Sequence, residues 1–149
     1  MINKFKIVFF DCDGVLLFGN PLSALERFLN VPANLVDQWV SDYYENKITF
    51  DFWIKKLEDF YIKADLKKKD AERIMNIKNY SINPEAEELM EYLKNKRYEI
   101  AIISSGNDIY VSQVARHFKI KSFRVNTILN FDGNGKIKEF KTLGPDQHV

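Results

Sequence analysis

Two aspartates one residue apart follow the first apolar segment of the chain. Asp11 and Asp13 come directly after residues 7–10 (IVFF), and Gly14 follows them. In an extended backbone residues two apart face the same side, so both carboxylates are predicted to point into one space. Carboxylates this close raise the pKa of one of them unless a cation intervenes. A hard cation such as Mg²⁺, which takes oxygen ligands and keeps waters and substrate phosphates, would relieve that repulsion.

The chemistry that suits this pair is phosphoryl transfer. A carboxylate beside bound magnesium can attack phosphorus in line, while a second acid protonates the leaving alkoxide and later deprotonates water. We assign Asp11 as the nucleophile and Asp13 as the acid/base, with both as metal ligands. Gly14 permits the sharp turn that leaves the strand end open to substrate. The alternative is that Asp-x-Asp-Gly forms only a capped turn.

A second polar segment could seat the phosphate. Ser104-Ser105-Gly106 follows a strand predicted over residues 98–103 and precedes a predicted helix. The first N–H groups of a helix are unpaired and positive, so the Ser104 hydroxyl and the nearby N–H groups would bind an anion. Ligands of parallel α/β sheets bind at the carboxyl ends of strands, where both polar segments fall. Taken alone, Ser104 could equally be a helix cap.

The order of elements predicts an α/β fold with a Rossmann-like parallel sheet. Strands and helices alternate from residue 81 onwards, with Asn83 as an N-cap and a hairpin over 127–140 that turns at residues 132–135 (DGNG). Residues 18–80 have helical periodicity, with Thr49 as an N-cap. We therefore predict a core of residues 1–17 and 81–149, with a helical cap of residues 18–80 inserted after the first strand.

Composition limits the classes of partner. The chain has 149 residues, 46% of them hydrophobic, which suits one domain or a domain with an insertion. Its 22 basic and 21 acidic residues give a net charge of +1, so no nucleic acid or membrane partner is expected. One cysteine excludes an internal disulfide, and with two histidines it falls short of a usual zinc site. We expect a reducing, cytoplasmic location, since no signal or membrane-spanning segment is evident.

Two motifs and the helical segment between them resemble those of the haloacid dehalogenase superfamily of phosphohydrolases. Residues 11–16 (DCDGVL), the helical insertion, and residues 102–106 (IISSG) look like its first motif, cap and second motif. The segment 45–50 (ENKITF) and the late hairpin are most similar to phosphoserine phosphatases. The resemblance implies a Mg²⁺ cofactor, a small phosphorylated metabolite as substrate, a nucleophile at Asp11, an acid/base at Asp13, and phosphate contact at Ser104.

Two positions depart from phosphoserine phosphatases. Those enzymes hold the amino and carboxylate groups of the substrate with a glutamate and an arginine, where this chain has Asn20 and Lys55. Lysine can meet a carboxylate only as a point charge, and asparagine cannot neutralise an ammonium group. Asn20 and Lys55 are therefore candidate substrate contacts for a small phosphomonoester other than phosphoserine.

The later motifs of the superfamily, a lysine and a Gly-Asp pair that completes the metal site, are not found after Ser104. We predict an open apolar edge beside the first strand, covered by a further segment or by another copy of the chain. Three functions remain open. They are a magnesium-dependent phosphomonoester hydrolase, a catalytically incomplete module that binds a phosphorylated ligand or partner, and a phosphosugar mutase.

Overall fold

A four-stranded sheet forms the centre of the molecule. The computed structural model describes residues 6–142. The strands are β1 (Ile7–Phe10), β2 (Leu17–Phe18), β3 (Ser81–Ile82), β4 (Glu99–Asn107), β5 (Ser122–Phe131) and β6 (Ile137–Thr142). In the order β1-β4-β5-β6 the first three are parallel and β6 is antiparallel, while β2 pairs with β3. The predicted α/β class and parallel sheet are confirmed.

Four helices lie between β2 and β3: α1 (Pro21–Phe28), α2 (Ala33–Tyr44), α3 (Phe50–Lys63) and α4 (Lys68–Ile74). The other two are α5 (Pro84–Asn95), which precedes β4, and α6 (Asp108–His117), which connects β4 to β5. The side chains of Thr49 and Asn83 accept N–H groups at the starts of α3 and α5, so both predicted caps are confirmed. Among these described helices, none has the length and apolarity needed to cross a membrane.

The strands are longer than the sequence indicated. We predicted that the second strand would stop at residue 103, but β4 continues to Asn107, because Ser104 and Asn107 pair with Val125 and Thr127 of β5. The ladder is irregular between Ser104 and Asn107. Likewise β5 is one continuous strand that includes the first half of the hairpin. The hairpin turn itself is where the sequence placed it, with Asp132 accepting the N–H of residue 136 at 2.9 Å.

Only one face of the parallel strands is covered by helices within residues 6–142. Ile102 of β4 is fully buried on that face, as are Val111 and Val114 of α6. On the other face Phe9 of β1 and Ile103 of β4 are 60% and 51% exposed. As predicted, β1 lies at an edge of the sheet in this part of the chain. The sheet thus presents an uncovered apolar surface beside the ends of β1 and β4.

Because of this asymmetry, substitutions of apolar residues on the two faces should lower the free energy of unfolding by different amounts. Ile102→Ala removes fully buried methylene groups, so we expect it to lower the free energy of unfolding by about 2–5 kcal/mol. Phe9→Ala removes a largely exposed ring, and we expect a loss of less than about 1 kcal/mol. Urea unfolding of both variants measures the difference. Equal losses would mean that the face containing Phe9 is packed against something in solution.

Candidate active site

The turn after β1 places the two aspartates. The carbonyl of Cys12 accepts the N–H groups of Leu16 and Leu17 at 2.9 and 3.0 Å, which folds residues 12–17 into a tight loop. Gly14 has a φ of +73°, a left-handed conformation that side chains disfavour. Asp11 is exposed and Asp13 half-buried, whereas Cys12 between them is fully buried. The alternation predicted from the sequence is present.

The surroundings of Asp13 and of the cysteine beside it raise the pKa of both groups. Burial raises the pKa of Asp13, and the carboxylate of Asp11 raises it further, while the Tyr110 hydroxyl, which donates to Asp13, and the nearby Ser104 hydroxyl lower it. Burial, followed by the charges of Asp13 and Asp11, raises the pKa of the Cys12 thiol to about 12. Cys12 is therefore a neutral core residue, and its N–H donates to Asp11 Oδ1 at 2.6 Å. The two carboxylates do share one region.

Ser104 meets this pair from the neighbouring strand. Its side chain is buried, its Oγ accepts the N–H of Gly106 at 3.0 Å, and its hydroxyl is near enough to Asp13 to lower the pKa of that carboxyl. Ser104 lies within β4 rather than directly before α6, because Asn107 is the N-cap of that helix. The structure thus joins Asp11, Asp13 and Ser104 at the carboxyl ends of β1 and β4. Ser105 is exposed and Gly106 buried beside them.

Sequence reasoning missed Tyr110, a residue in the first turn of α6. Its hydroxyl donates to Asp13 Oδ2 at 2.7 Å, and the side chain is fully buried. Burial and the charge of Asp13 raise the pKa of the Tyr110 hydroxyl above its usual value, so the phenol stays protonated. Nothing in the spacing of the motifs signals this contact, because the two residues are 97 positions apart.

Gly106 is constrained by Tyr110. A Cβ at position 106 would lie 1.8 Å from the Tyr110 hydroxyl oxygen and 2.5 Å from its Cζ. We expect Gly106→Ala to lower the free energy of unfolding by about 1–3 kcal/mol through overpacking. Gly133→Ala is the matched control, because no atom lies within 4 Å of its added Cβ. Thermal unfolding measures both, and a harmless Gly106→Ala would contradict the tyrosine placement.

The two predicted substrate contacts make other interactions. The side chain of Asn20 is the N-cap of α1 and accepts the N–H of Ser23 at 2.9 Å. The ammonium of Lys55 binds Glu58, a buried carboxylate that also accepts the N–H of Phe140 in β6. These hydrogen bonds do not involve Asp11, Asp13 or Ser104. A role for Asn20 or Lys55 in substrate binding stays a prediction.

The residues present are compatible with Mg²⁺. Among residues 6–142 no group of three or more His, Cys, Asp or Glu side chains is arranged to hold a metal ion. Asp11 and Asp13 nevertheless provide a pair of hard, mutually repelling oxygen donors. Magnesium is commonly bound through one or two carboxylates, with waters and substrate phosphate completing its coordination. The donor set suits that mode of binding better than an all-protein cage.

Comparison with known proteins agrees with this arrangement. Residues 5–143 match the family described as haloacid dehalogenase-like hydrolase. The chain belongs to this family. A phosphoserine phosphatase of Methanocaldococcus jannaschii is 26% identical over 133 residues, which cover 89% of this chain and 61% of the relative.

Solved structures have the same fold. A phospho-aspartyl intermediate analogue of phosphoserine phosphatase superposes with a TM-score of 0.75 at 24% identity, covering 93% of this chain and 64% of that one. A substrate-bound phosphoserine phosphatase complex gives a TM-score of 0.75 at 23% identity, covering 93% and 63%. The chain therefore spans less than two thirds of the length of these relatives. The resemblance to the haloacid dehalogenase superfamily that the motifs indicated is confirmed. Phosphoserine phosphatases are among the similar proteins, as the motifs also indicated.

Proposed function

We propose that the protein is a magnesium-dependent phosphomonoester hydrolase that acts on a small phosphorylated metabolite. The observation that supports this most directly is the meeting of Asp11, Asp13 and Ser104 at one edge of the sheet. The named relatives give further support, since they are phosphoserine phosphatases and one matched structure is described as a phospho-aspartyl intermediate analogue.

In this proposal Asp11 is the nucleophile. It is exposed at the end of β1, and one of its oxygens is held by the N–H of Cys12, which orients the carboxylate. A carboxylate oxygen attacks phosphorus, the bond from phosphorus to the ester oxygen breaks, and Asp13 donates a proton to the leaving alkoxide. Burial raises the pKa of Asp13, which favours the protonated form needed for this step.

The second half-reaction returns Asp11 to its starting form. Asp13, now ionised, takes a proton from water as the water attacks the phosphorus of the aspartyl phosphate. Inorganic phosphate leaves with the bond to Asp11 broken. Mg²⁺ would be held by the Asp11 carboxylate, and by that of Asp13 once it is ionised, and would supply positive charge that offsets the repulsion among carboxylates and phosphate.

Ser104 is proposed to contact the phosphoryl oxygens. Its hydroxyl can donate to one of them, and the backbone of Ser105 lies beside it at the exposed end of the segment. The N–H of Gly106 already bonds to Ser104 Oγ, so its contribution is to orient the hydroxyl. This assigns different tasks to the three residues that the sequence grouped as phosphate-binding.

The substrate is proposed to differ from phosphoserine. Asn20 and Lys55 stand where the resemblance implies a glutamate and an arginine, and both side chains are engaged elsewhere, in the cap of α1 and with Glu58. A substrate without a free amino acid group fits such a site better.

We also infer a reducing compartment such as the cytoplasm, supported by the single cysteine, Cys12, which is a free buried thiol.

Phosphate release from a panel of esters tests the proposal. The 149-residue chain is incubated with p-nitrophenyl phosphate, phosphoserine, glycerol phosphate and hexose phosphates, with Mg²⁺ or with EDTA. We expect release with Mg²⁺, none with EDTA, and no preference for phosphoserine. Conversion of a hexose phosphate into an isomer without phosphate release would support the mutase instead.

A non-catalytic module is the second candidate. It is favoured by the uncovered sheet face, where Phe9 and Ile103 are exposed, and by the two-carboxylate donor set. This face would be covered by a segment equivalent to the rest of the relatives' length or by a second copy of the chain. Binding of inorganic phosphate in calorimetry, with no turnover of any ester, would support this candidate and contradict the hydrolase.

A further inference from the structure

Tyr110 contacts a proposed catalytic group from outside the known motifs. It lies on α6, while Asp13 lies in the loop after β1, and its hydroxyl donates to Asp13 Oδ2 at 2.7 Å. The side chain is fully buried, so water does not compete for this hydrogen bond. A hydrogen bond to a charged group in such surroundings is stronger than one between neutral partners.

The same hydroxyl also lies against the segment that contains Ser104. An added Cβ at Gly106 would be 1.8 Å from the Tyr110 oxygen, and the N–H of Gly106 donates to Ser104 Oγ at 3.0 Å. The Ser104 hydroxyl in turn interacts with Asp13. Tyr110 therefore contacts both Asp13 and the part of β4 that contains Ser104 and Gly106.

We propose that Tyr110 is a positioning residue for Asp13, fixing its carboxylate relative to Ser104. This inference rests on the proposed hydrolase function. A carboxylate held at Oδ2 by a buried phenol cannot rotate freely about its Cβ–Cγ bond, so one oxygen faces the ester oxygen and the water in turn. A shift of about 1 Å in such a group can lower a rate about 10²-fold.

The first test is Tyr110→Phe, which removes only the hydroxyl. We expect kcat for glycerol phosphate, whose alkoxide leaving group needs a proton from Asp13, to fall by about 10- to 100-fold, with KM changed by less than about twofold. Tyr80→Phe is the matched control. The Tyr80 hydroxyl donates to the carbonyl of Ile74 at 3.0 Å, and its ring also packs against a glycine, Gly19. An unchanged kcat in Tyr110→Phe, or an equal fall in Tyr80→Phe, would overturn the proposal.

The second test needs no turnover. A double-mutant cycle of Tyr110→Phe with Asp13→Ala, measured by urea unfolding, reports the coupling between the two side chains. We expect a coupling of about tenfold in the unfolding equilibrium constant, the size of a hydrogen bond to a charged group. Coupling below about twofold would overturn the proposal. Asp13→Ser replaces Asp13→Ala if that variant does not fold.

The two tests separate the inference from the function on which it rests. If the unaltered chain releases no phosphate, the hydrolase proposal fails, and the cycle alone decides whether Tyr110 holds Asp13. If the chain is active and the cycle shows coupling while kcat is unchanged in Tyr110→Phe, the hydrogen bond exists but does not position Asp13 for catalysis, and the inference is wrong.

Discussion

Asp11→Asn is expected to lower Mg²⁺-dependent phosphate release from p-nitrophenyl phosphate by on the order of 10³-fold or more. The amide keeps the size of the side chain and can still accept the N–H of Cys12, which the carboxylate accepts at 2.6 Å. It is not a nucleophile at neutral pH, and it contributes no negative charge to a metal site. The loss should therefore appear in kcat without loss of fold. Steady-state rates and circular dichroism of both proteins measure this.

Asp37→Asn is the control for the loss of one carboxylate. Asp37 is a residue of α2 far along the chain from both aspartates of the site, and its replacement should leave the rate unchanged within about twofold. Mass spectrometry of acid-quenched samples supplies a second readout, because a phosphoryl group on Asp11 adds mass to the unaltered chain only. Equal rates for the unaltered chain and Asp11→Asn would remove Asp11 as nucleophile.

The positions of Asp11, Asp13 and Ser104 could be predicted because two general rules, strand alternation and parallel strand pairing, determine them. Alternation along an extended chain places the two carboxylates together with the buried Cys12 between them. Parallel pairing of β1 with β4 then brings the residue that follows the second apolar run to the same edge. The first step needs only the local sequence, and the second needs only the parallel sheet that the alternation of strands and helices predicts.

Tyr110 and Lys55 could not be placed because their partners are distant in sequence or depend on packing. Tyr110 reaches a residue 97 positions away, and its burial follows from how α6 lies on the sheet. Lys55 binds Glu58, which is buried because β6 packs against α3 and supplies the N–H of Phe140. A lysine that the resemblance assigns to the substrate can thus form an ion pair with a neighbouring carboxylate instead.

The carboxyl end of β4 shows a related limit of prediction from sequence. Residues 104–107 (SSGN) have the composition of a turn, and β-propensity indicates a stop after Ile103. The strand continues because β5 offers a partner for Ser104 and Asn107, so tertiary pairing outweighs local preference. The consequence for the site is that Ser104 is held by the sheet on one side and by the N–H of Gly106 on the other.

Asp13→Asn is expected to lower kcat by about 10²- to 10⁴-fold and, without metal, to stabilise the chain at neutral pH. Burial, and then the charge of Asp11, raise the pKa of Asp13 above its usual value, so the folded chain binds its proton more tightly than the unfolded chain. The favourable contribution of the protonated group is complete below the unfolded pKa of 3.8 and is lost as pH rises through the folded pKa. At neutral pH the ionised Asp13 therefore opposes folding, and the neutral amide should recover about 0.5–2 kcal/mol.

Urea unfolding in EDTA at about pH 4 and pH 8 separates this effect from other acids. Burial also raises the pKa of Asp108 and Glu26, but both are unchanged in the variant, so the difference between the two proteins reports Asp13 alone. The amide oxygen that Asp13→Asn introduces can still accept a hydrogen bond from the Tyr110 hydroxyl. The two proteins therefore differ mainly in the one negative charge at residue 13. Added Mg²⁺ should stabilise the unaltered chain more than the variant, because a ligand that binds only the folded state raises its stability. A variant less stable than the unaltered chain at the higher pH would show that the Asp13 carboxylate is not under electrostatic strain, and the charge argument for the metal site would fail with it.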